Sequence, residues 1–177
     1  MKRFFNPLAI AVFLLVSFTS LAQDTKMKQA KNNAENEPYK ITYNNLKLGR
    51  NDYSKVILHA WKIYDNNKLD EMTMTFADTL NAILPDGSIV KGRDNFISAM
   101  KTYRGEFSSV ISTVHACTTL KSENVPDEEV TVIWGTETAI KKDGTVQKMS
   151  LHELWFFNKE GLVSKFYQYA IPTLEKK

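Results

Sequence analysis

Residues 146–170 read VQKMSLHELWFFNKEGLVSKFYQYA. A run rich in Leu, Trp and Phe, Val146–Phe157, passes through Asn158-Lys159-Glu160-Gly161 into a second run, Leu162–Ala170, rich in Val, Phe and Tyr. That is the pattern of two strands joined by a three-residue loop closed by a left-handed glycine. One strand earlier the same chemistry recurs, Glu129–Ile140 leading through Lys141-Lys142-Asp143-Gly144 into Val146. Phe107–Leu120 adds a fourth β-like run.

Ahead of these runs the period changes. Tyr53, Val56, Ile57, Ala60, Trp61 and Tyr64 recur at helical spacing behind the capping types Asn51-Asp52, which predicts an amphipathic helix. After the polar break 65–68, Leu69, Met72 and Phe76 suit a short second helix. Leu80–Leu84 is extended in character, Pro85-Asp86-Gly87 supplies a hairpin turn, and Ser88-Ile89-Val90 returns. Gly92-Arg93-Asp94 opens a third helix with Phe96, Ile97, Met100 and Tyr103 on one side, and Gly105 suits the left-handed position after its end. Helices first and long antiparallel strands afterwards predict an α+β fold.

The chain has 177 residues and a formal charge of +3. Met1–Ala22 carries Lys2, Arg3 and the apolar run Leu8–Val16 before Ser20-Leu21-Ala22, the layout of a secretory leader. The run is too short to span a membrane. Without the leader 21 basic residues stand against 20 acidic ones, so a nucleic-acid partner loses its electrostatic basis. The expected localisation is export, to a periplasm or outside the cell, with no membrane attachment after the leader is removed. Residues 23–50 are read as a flexible tether or arm, with Tyr39–Leu48 either a short strand or an arm on the domain. The compact domain is then 51–177. Cys117, the single cysteine, has no partner for a disulfide.

The turn types set a register. With Lys159-Glu160-Gly161 as the loop, Asn158 pairs with Leu162, Glu153 comes opposite Tyr167, and Leu151 opposite Tyr169. Lys142-Asp143-Gly144 likewise sets Ile133 opposite Glu153 and Trp134 opposite His152. One face then holds Ile133, Glu137, Met149, Leu151, Glu153, Trp155, Phe157, Tyr167 and Tyr169. The other holds Val132, Trp134, Thr136, His152, Leu154, Phe156, Phe166 and Gln168. Both are apolar enough to need covering.

The order of a helix, Leu69-Asp70, Phe76-Ala77-Asp78, a short hairpin, Gly92-Arg93 into a helix, and long strands with Glu160-Gly161-Leu162-Val163 resembles the NTF2-like superfamily, and within it the SnoaL-like and ketosteroid-isomerase-like domains. The resemblance implies about three N-terminal helices packed on a strongly curved antiparallel sheet, forming a cone around an apolar pocket, with dimerisation through the outer face of the sheet. It covers roughly Tyr53 to Pro172. Counted back from Gly161, the position of the isomerases' protonated, oxyanion-stabilising aspartate falls on Glu153, which makes the Glu153 face the inside. Their helix tyrosine falls on Ala60 and their general-base aspartate within a residue or so of Ile83, so neither of those groups is carried over.

The expected ligand pocket is therefore Trp61, Tyr64, Asp78, Leu151, Glu153, Trp155, Tyr167 and Tyr169, with Glu153 and Tyr167 as the candidate catalytic pair. The expected dimer face is Trp134, His152, Phe166 and Gln168. Glu153 reads either as a pocket acid with a raised pKa or as a structural acid paired with Tyr167 or an arginine. His152 points away from it and suits packing or an interface. Asp78 is either a pocket-mouth acid or a turn residue, His59 faces solvent, and His115 with Cys117 lacks the orienting third group of a nucleophilic site. No metal-ligand spacing and no nucleotide or other cofactor motif occurs. The leading expectation is an exported, homodimeric protein binding a small, largely apolar ligand in its cone. A cofactor-independent lyase or isomerase is the alternative, and an interaction module with a filled pocket is the third reading.

Overall fold

A computed structural model describes residues 38–173; the leader and the tether as far as residue 37 lie outside the described residues. The chain divides into the units Met1–Ile41 and Thr42–Lys177. In the first unit the described residues 38–41 are irregular and exposed. The second holds the fold. Its elements are β1 (Lys47–Leu48), α1 (Asn51–Asp65), a 3-10 helix (Leu69–Thr75), β2 (Phe76–Ile83), β3 (Ile89–Lys91), α2 (Arg93–Arg104), β4 (Phe107–Ser122), β5 (Val125–Lys141), β6 (Val146–Phe157) and β7 (Val163–Pro172).

The strands form one seven-stranded sheet in the order β1-β4-β5-β6-β7-β2-β3. The class is α+β, with one correction to the expectation. The sheet is mixed, because β2 joins β7 in parallel while the other pairs are antiparallel. The hairpin β2–β3 leads into α2, the order expected from Gly92-Arg93, and all helices precede the long strands β4–β7. A hairpin cannot close a parallel pair; β2 reaches the edge that β7 leaves only across the whole intervening chain.

Helix α1 buries Tyr53, Ile57, Ala60 and Trp61, as its stripe requires. Val56 is exposed instead, and Ser54 and Ile63 are buried. Ser54 Oγ lies 2.8 Å from Thr119 Oγ1, itself 2.8 Å from Thr131 Oγ1, so a buried hydroxyl chain ties α1 to β4 and β5. Asn51 and Asp52 occupy the first turn and do not cap it; the preceding Arg50 N–H donates to Glu129 Oε2 at 2.7 Å. Gly105 is right-handed, with φ −64°. The end of α2 is fastened by the buried Arg104, which donates to the carbonyls of Tyr64 and Asp65 at the end of α1 and of Phe107 in β4. Phe76 opens β2 rather than closing the second helix. The core between helices and sheet includes Ile57, Phe76, Leu80, Phe96, Ile133, Trp155 and Phe166, and Tyr53 stacks flat on Phe157 at 4.0 Å between ring centroids.

The β5–β6 register matches the turn-based reading, with Ile133 opposite Glu153 and Trp134 opposite His152. At the last hairpin the loop also has the expected form. Asn158 N–H donates to the Leu162 carbonyl at 2.9 Å, and Gly161 takes φ 79°. One residue later the ladder slips. Phe157 pairs with Val163 but Phe156 with Lys165, leaving Ser164 as a bulge. Glu153 therefore faces Gln168 and not Tyr167, and Leu151 faces Ala170 and not Tyr169. Since side chains alternate, the slip sends Tyr167 and Tyr169 outward and brings Phe166 and Gln168 inward.

Two stretches are more ordered than the sequence suggested. The β4–β5 ladder runs on to Ser122 opposite Val125, closing in a two-residue turn. Residues 42–50 belong to the folded unit, where β1 pairs with Leu120 and Lys121 of β4. Tyr43 Oη donates to Glu128 at 2.5 Å, and Lys165 Nζ sits 2.6 Å from the same carboxylate. Ser122 Oγ donates to the Asn44 carbonyl at 2.7 Å.

Candidate functional site

Two adjoining spaces open between the helices and the inward face of β4–β7. The inner one, of about 50 Å³, is bounded by Trp61 and Tyr64 of α1, Ser112 of β4, Glu137 of β5, Glu153 and Trp155 of β6, and Phe166 and Gln168 of β7. The outer one, of about 300 Å³, lies toward Leu84, Pro85 and Asp86 and is walled by Phe96, Met149 and Ala170. Met100, Tyr103, Glu137, Leu151 and Gln168 border both. The inner space holds little more than a water or a small polar group, whereas the outer one has the capacity of a small organic ligand.

Glu153 closes the inner end, 4% exposed. Its Oε2 accepts from Trp61 Nε1 at 2.6 Å and Trp155 Nε1 at 2.9 Å, and its Oε1 from Gln168 Nε2 at 2.7 Å. Trp61 reaches this position because position 135 is glycine: a Cβ there would stand 2.7 Å from the indole. Burial pushes the Glu153 carboxyl above its ordinary range, against the opposing pull of the three donors, Trp61 foremost. A proton on Glu153 belongs on Oε1, the oxygen free of indole donors. The Gln168 amide then has to turn its oxygen toward it.

Glu137 is the second buried acid, 7% exposed. Its pKa is raised to about 7, chiefly by burial, then by the charges of Glu153 and Asp65, with Arg104 pulling the other way. Unlike Glu153, it makes no hydrogen bond or ion pair among the described residues. Arg104 is committed to its three carbonyls, and Asp65 holds Ser112 through Oγ at 2.8 Å and the backbone N–H at 3.2 Å. Burial also raises the pKa of Tyr64, and that of Tyr103 at the mouth.

Of the residues expected in the pocket, the structure brings together Trp61, Tyr64, Leu151, Glu153 and Trp155. Tyr167 and Tyr169 are corrections: the Ser164 bulge places Tyr167 outside against Phe156, 5.2 Å between ring centroids, and leaves Tyr169 exposed beside His152. The Glu153–Tyr167 pair therefore does not exist. Asp78 is also remote; it is exposed, paired with Arg93 at 2.7 Å, and borders a separate surface hollow. Phe166 and Gln168, expected on the dimer face, line the pocket instead. Trp134 and His152 do lie outside, stacked at 5.2 Å. The residue that sequence reasoning passed over is Glu137. Its signal was present, an acid on the Glu153 face of the neighbouring strand.

The Cys117 thiol points at the Ser54 carbonyl, 3.7 Å away, and burial holds its pKa up, which keeps it a thiol and a poor nucleophile. His115 and His59 are exposed. Among the described residues no three His, Cys, Asp or Glu side chains group as metal ligands would, and no helix is long and apolar enough to cross a membrane.

No protein-family model and no curated protein matches the sequence, whereas solved structures match about two thirds of it. An NTF2-like protein of unknown function from Exiguobacterium sp. 255-15 aligns with a TM-score of 0.54 over 67% of this chain and 99% of its own, at 13% identity. An LEH-like epoxide hydrolase from M. tuberculosis gives 0.54 over 68% and 83%, at 11% identity. A protein of ketosteroid isomerase-like fold from Catenulispora acidiphila, in complex with trimethylamine, gives 0.53 over 65% and 84%, at 12% identity. The chain has the NTF2-like fold, the architecture of ketosteroid isomerase-like and SnoaL-like proteins. At these identities the likeness is one of fold, and function has to be argued from the site.

Proposed function

We propose that the protein binds a small, largely apolar molecule in its cone, with the polar end of the ligand directed to the buried acids. The observation that carries this reading is the outer chamber of about 300 Å³, which leads past Leu151 and Gln168 to two buried carboxyls. An apolar space with a few convergent polar groups is the usual form of a small-molecule site. That volume also weighs against a cone packed shut for protein interaction alone. Fold neighbours that include an epoxide hydrolase and a trimethylamine complex fit a small-molecule role. The test is mass spectrometry of small molecules extracted from protein purified under native conditions. A single enriched compound supports the reading, and an empty protein that takes up no apolar compound on soaking counts against it.

A cofactor-independent lyase or isomerase is the second reading, favoured by one feature: two buried acids share the cavity in different surroundings, Glu137 with its pKa raised to about 7 and no hydrogen-bond partner among the described residues, Glu153 raised by burial and held by three N–H donors. Two acids in different surroundings within one cavity suit a base and an acid. Glu137 would abstract a proton and Glu153 would donate one, the role first assigned to Tyr167 falling away.

Export and dimerisation belong to the same proposal. Export is tested by N-terminal sequencing of the protein recovered outside the cytoplasm, which is expected to begin at Gln23. The outward face of the sheet is the surface for the second. Trp134, Tyr169, Ile111 and Ile171 are all exposed there, and His152 Nε2 is buried with no hydrogen-bond partner among the described residues.

A further inference from the structure

The chemical class of the ligand follows from the charges that line the cone, and this inference rests on the ligand-binding reading above. Among the described residues every charged side chain bordering the two chambers is acidic: Glu153 and Glu137 in the depth, Asp86 at the mouth. No lysine, arginine or histidine among the described residues borders either chamber. The nearby Arg104 is turned to the Tyr64, Asp65 and Phe107 carbonyls. Glu153 already accepts three N–H groups. Glu137 does not; it is 7% exposed, borders both chambers and lacks a hydrogen bond or ion pair among the described residues. A buried carboxylate without a partner is costly, and a charged donor entering the chamber removes that cost. The walls suit such a donor. Trp61, Tyr64, Tyr103 and Trp155 contribute aromatic surface, whose faces attract cations and repel anions. Leu84, Met149 and Ala170 offer hydrocarbon surface to the remainder of the molecule.

We propose that the ligand is a small organic cation, an ammonium group on an apolar or aromatic body, with the ammonium donating to Glu137 and the body filling the outer chamber. The groups that face Glu137 agree with this assignment. Glu153 from β6 and Asp65 from α1 repel its charge, and Arg104 from α2 opposes them only weakly. A bound cation supplies the compensation these elements lack.

The experiment is isothermal titration calorimetry of the purified protein at pH 8, where the Glu137 carboxylate predominates, with three probes of similar shape: phenethylamine, 2-phenylethanol and phenylacetate. Phenethylamine is expected to bind at least about tenfold tighter than 2-phenylethanol, as a charge-assisted hydrogen bond implies, and phenylacetate weakest. Glu137→Gln is expected to bring the amine-to-alcohol ratio to about one, and Glu137→Asp, which keeps the charge, to retain part of the preference. The wild-type ratio decides by itself should Glu137→Gln fail to fold. Binding of the alcohol as tightly as the amine overturns the cation assignment and leaves the ligand-binding reading standing. An undiminished preference in a folded Glu137→Gln overturns the role of Glu137. Failure of all three probes to bind at millimolar concentration overturns the inference together with the reading beneath it.

Discussion

Glu137 and Glu153 share a cavity but differ in how the protein treats them. Glu153 is satisfied by two indoles and an amide, an arrangement that fixes its position and offsets part of the cost of burying its charge. Glu137 is left to burial and to like charges, and its pKa rises to about 7. Because its pKa is higher in the folded chain than in the unfolded one, the folded state holds the proton more tightly. Its contribution to stability is thus fully present below the ordinary glutamate range and is lost as the pH rises through about 7. Glu137→Gln is accordingly expected to leave stability nearly unchanged at pH 4 and to raise it at pH 8 by on the order of 2–3 kcal/mol. Urea unfolding at the two pH values checks this. Equal effects at both would show that Glu137 titrates like a solvated glutamate. That a binding pocket should retain a residue that destabilises the empty protein is the usual conflict between stability and function.

The elements show what the sequence disclosed and what it withheld. The α1 stripe, the hairpin turns at Gly144 and Gly161 and the β5–β6 register were legible, because periodicity and turn chemistry are local. The Ser164 bulge was not. Leu162-Val163-Ser164-Lys165 carries no glycine or proline to mark it, and the extra residue is accommodated by packing that places Phe166 against Trp155 at 4.4 Å between ring centroids. That single residue reassigned four side chains, Tyr167 and Tyr169 outward and Phe166 and Gln168 inward. Glu137 was visible on the inward face, but its lack of a partner depends on Arg104 turning to the end of α1 and the start of β4, which is a tertiary fact. The N-terminal arm was half legible: its alternation hinted at a strand, while the Tyr43–Glu128–Lys165 cluster joins residues far apart in the chain. Deleting residues 23–38 is expected to leave the melting temperature nearly unchanged. Extending the cut to Leu48 removes β1 and the Tyr43 contacts and is expected to lower it by several degrees, the effect of about 1 kcal/mol in a domain of this size. Thermal unfolding of the two truncated chains followed by circular dichroism is the check, and equal melting temperatures would show that the arm contributes nothing.

For the molecule as a whole, the sheet has two apolar faces and the helices cover one. Trp134 is 39% exposed, Tyr169 55% and Ile171 68% on the other, a larger apolar display than a lone domain ordinarily leaves to water. His152, stacked between Trp134 and Tyr169 with its Nε2 buried and unpaired among the described residues, marks the centre of that surface. Light scattering at micromolar concentration is expected to give the mass of a dimer, and Trp134→Glu the mass of a monomer, since a charge in the middle of a self-complementary apolar contact meets its own copy across the two-fold axis. A monomeric wild-type protein would remove this face from the proposal without touching the cone.

The cone is the central claim, and the most direct measurement is a crystal structure of the protein soaked with 2-phenylethanol, a probe neutral with respect to the question of charge. The expected result is density for the ring in the outer chamber between Met100, Tyr103 and Leu151, with the hydroxyl toward Glu137 or Gln168. Density only on the outward face around Trp134, or a cone closed by its own side chains with no ligand inside, would contradict the small-molecule function.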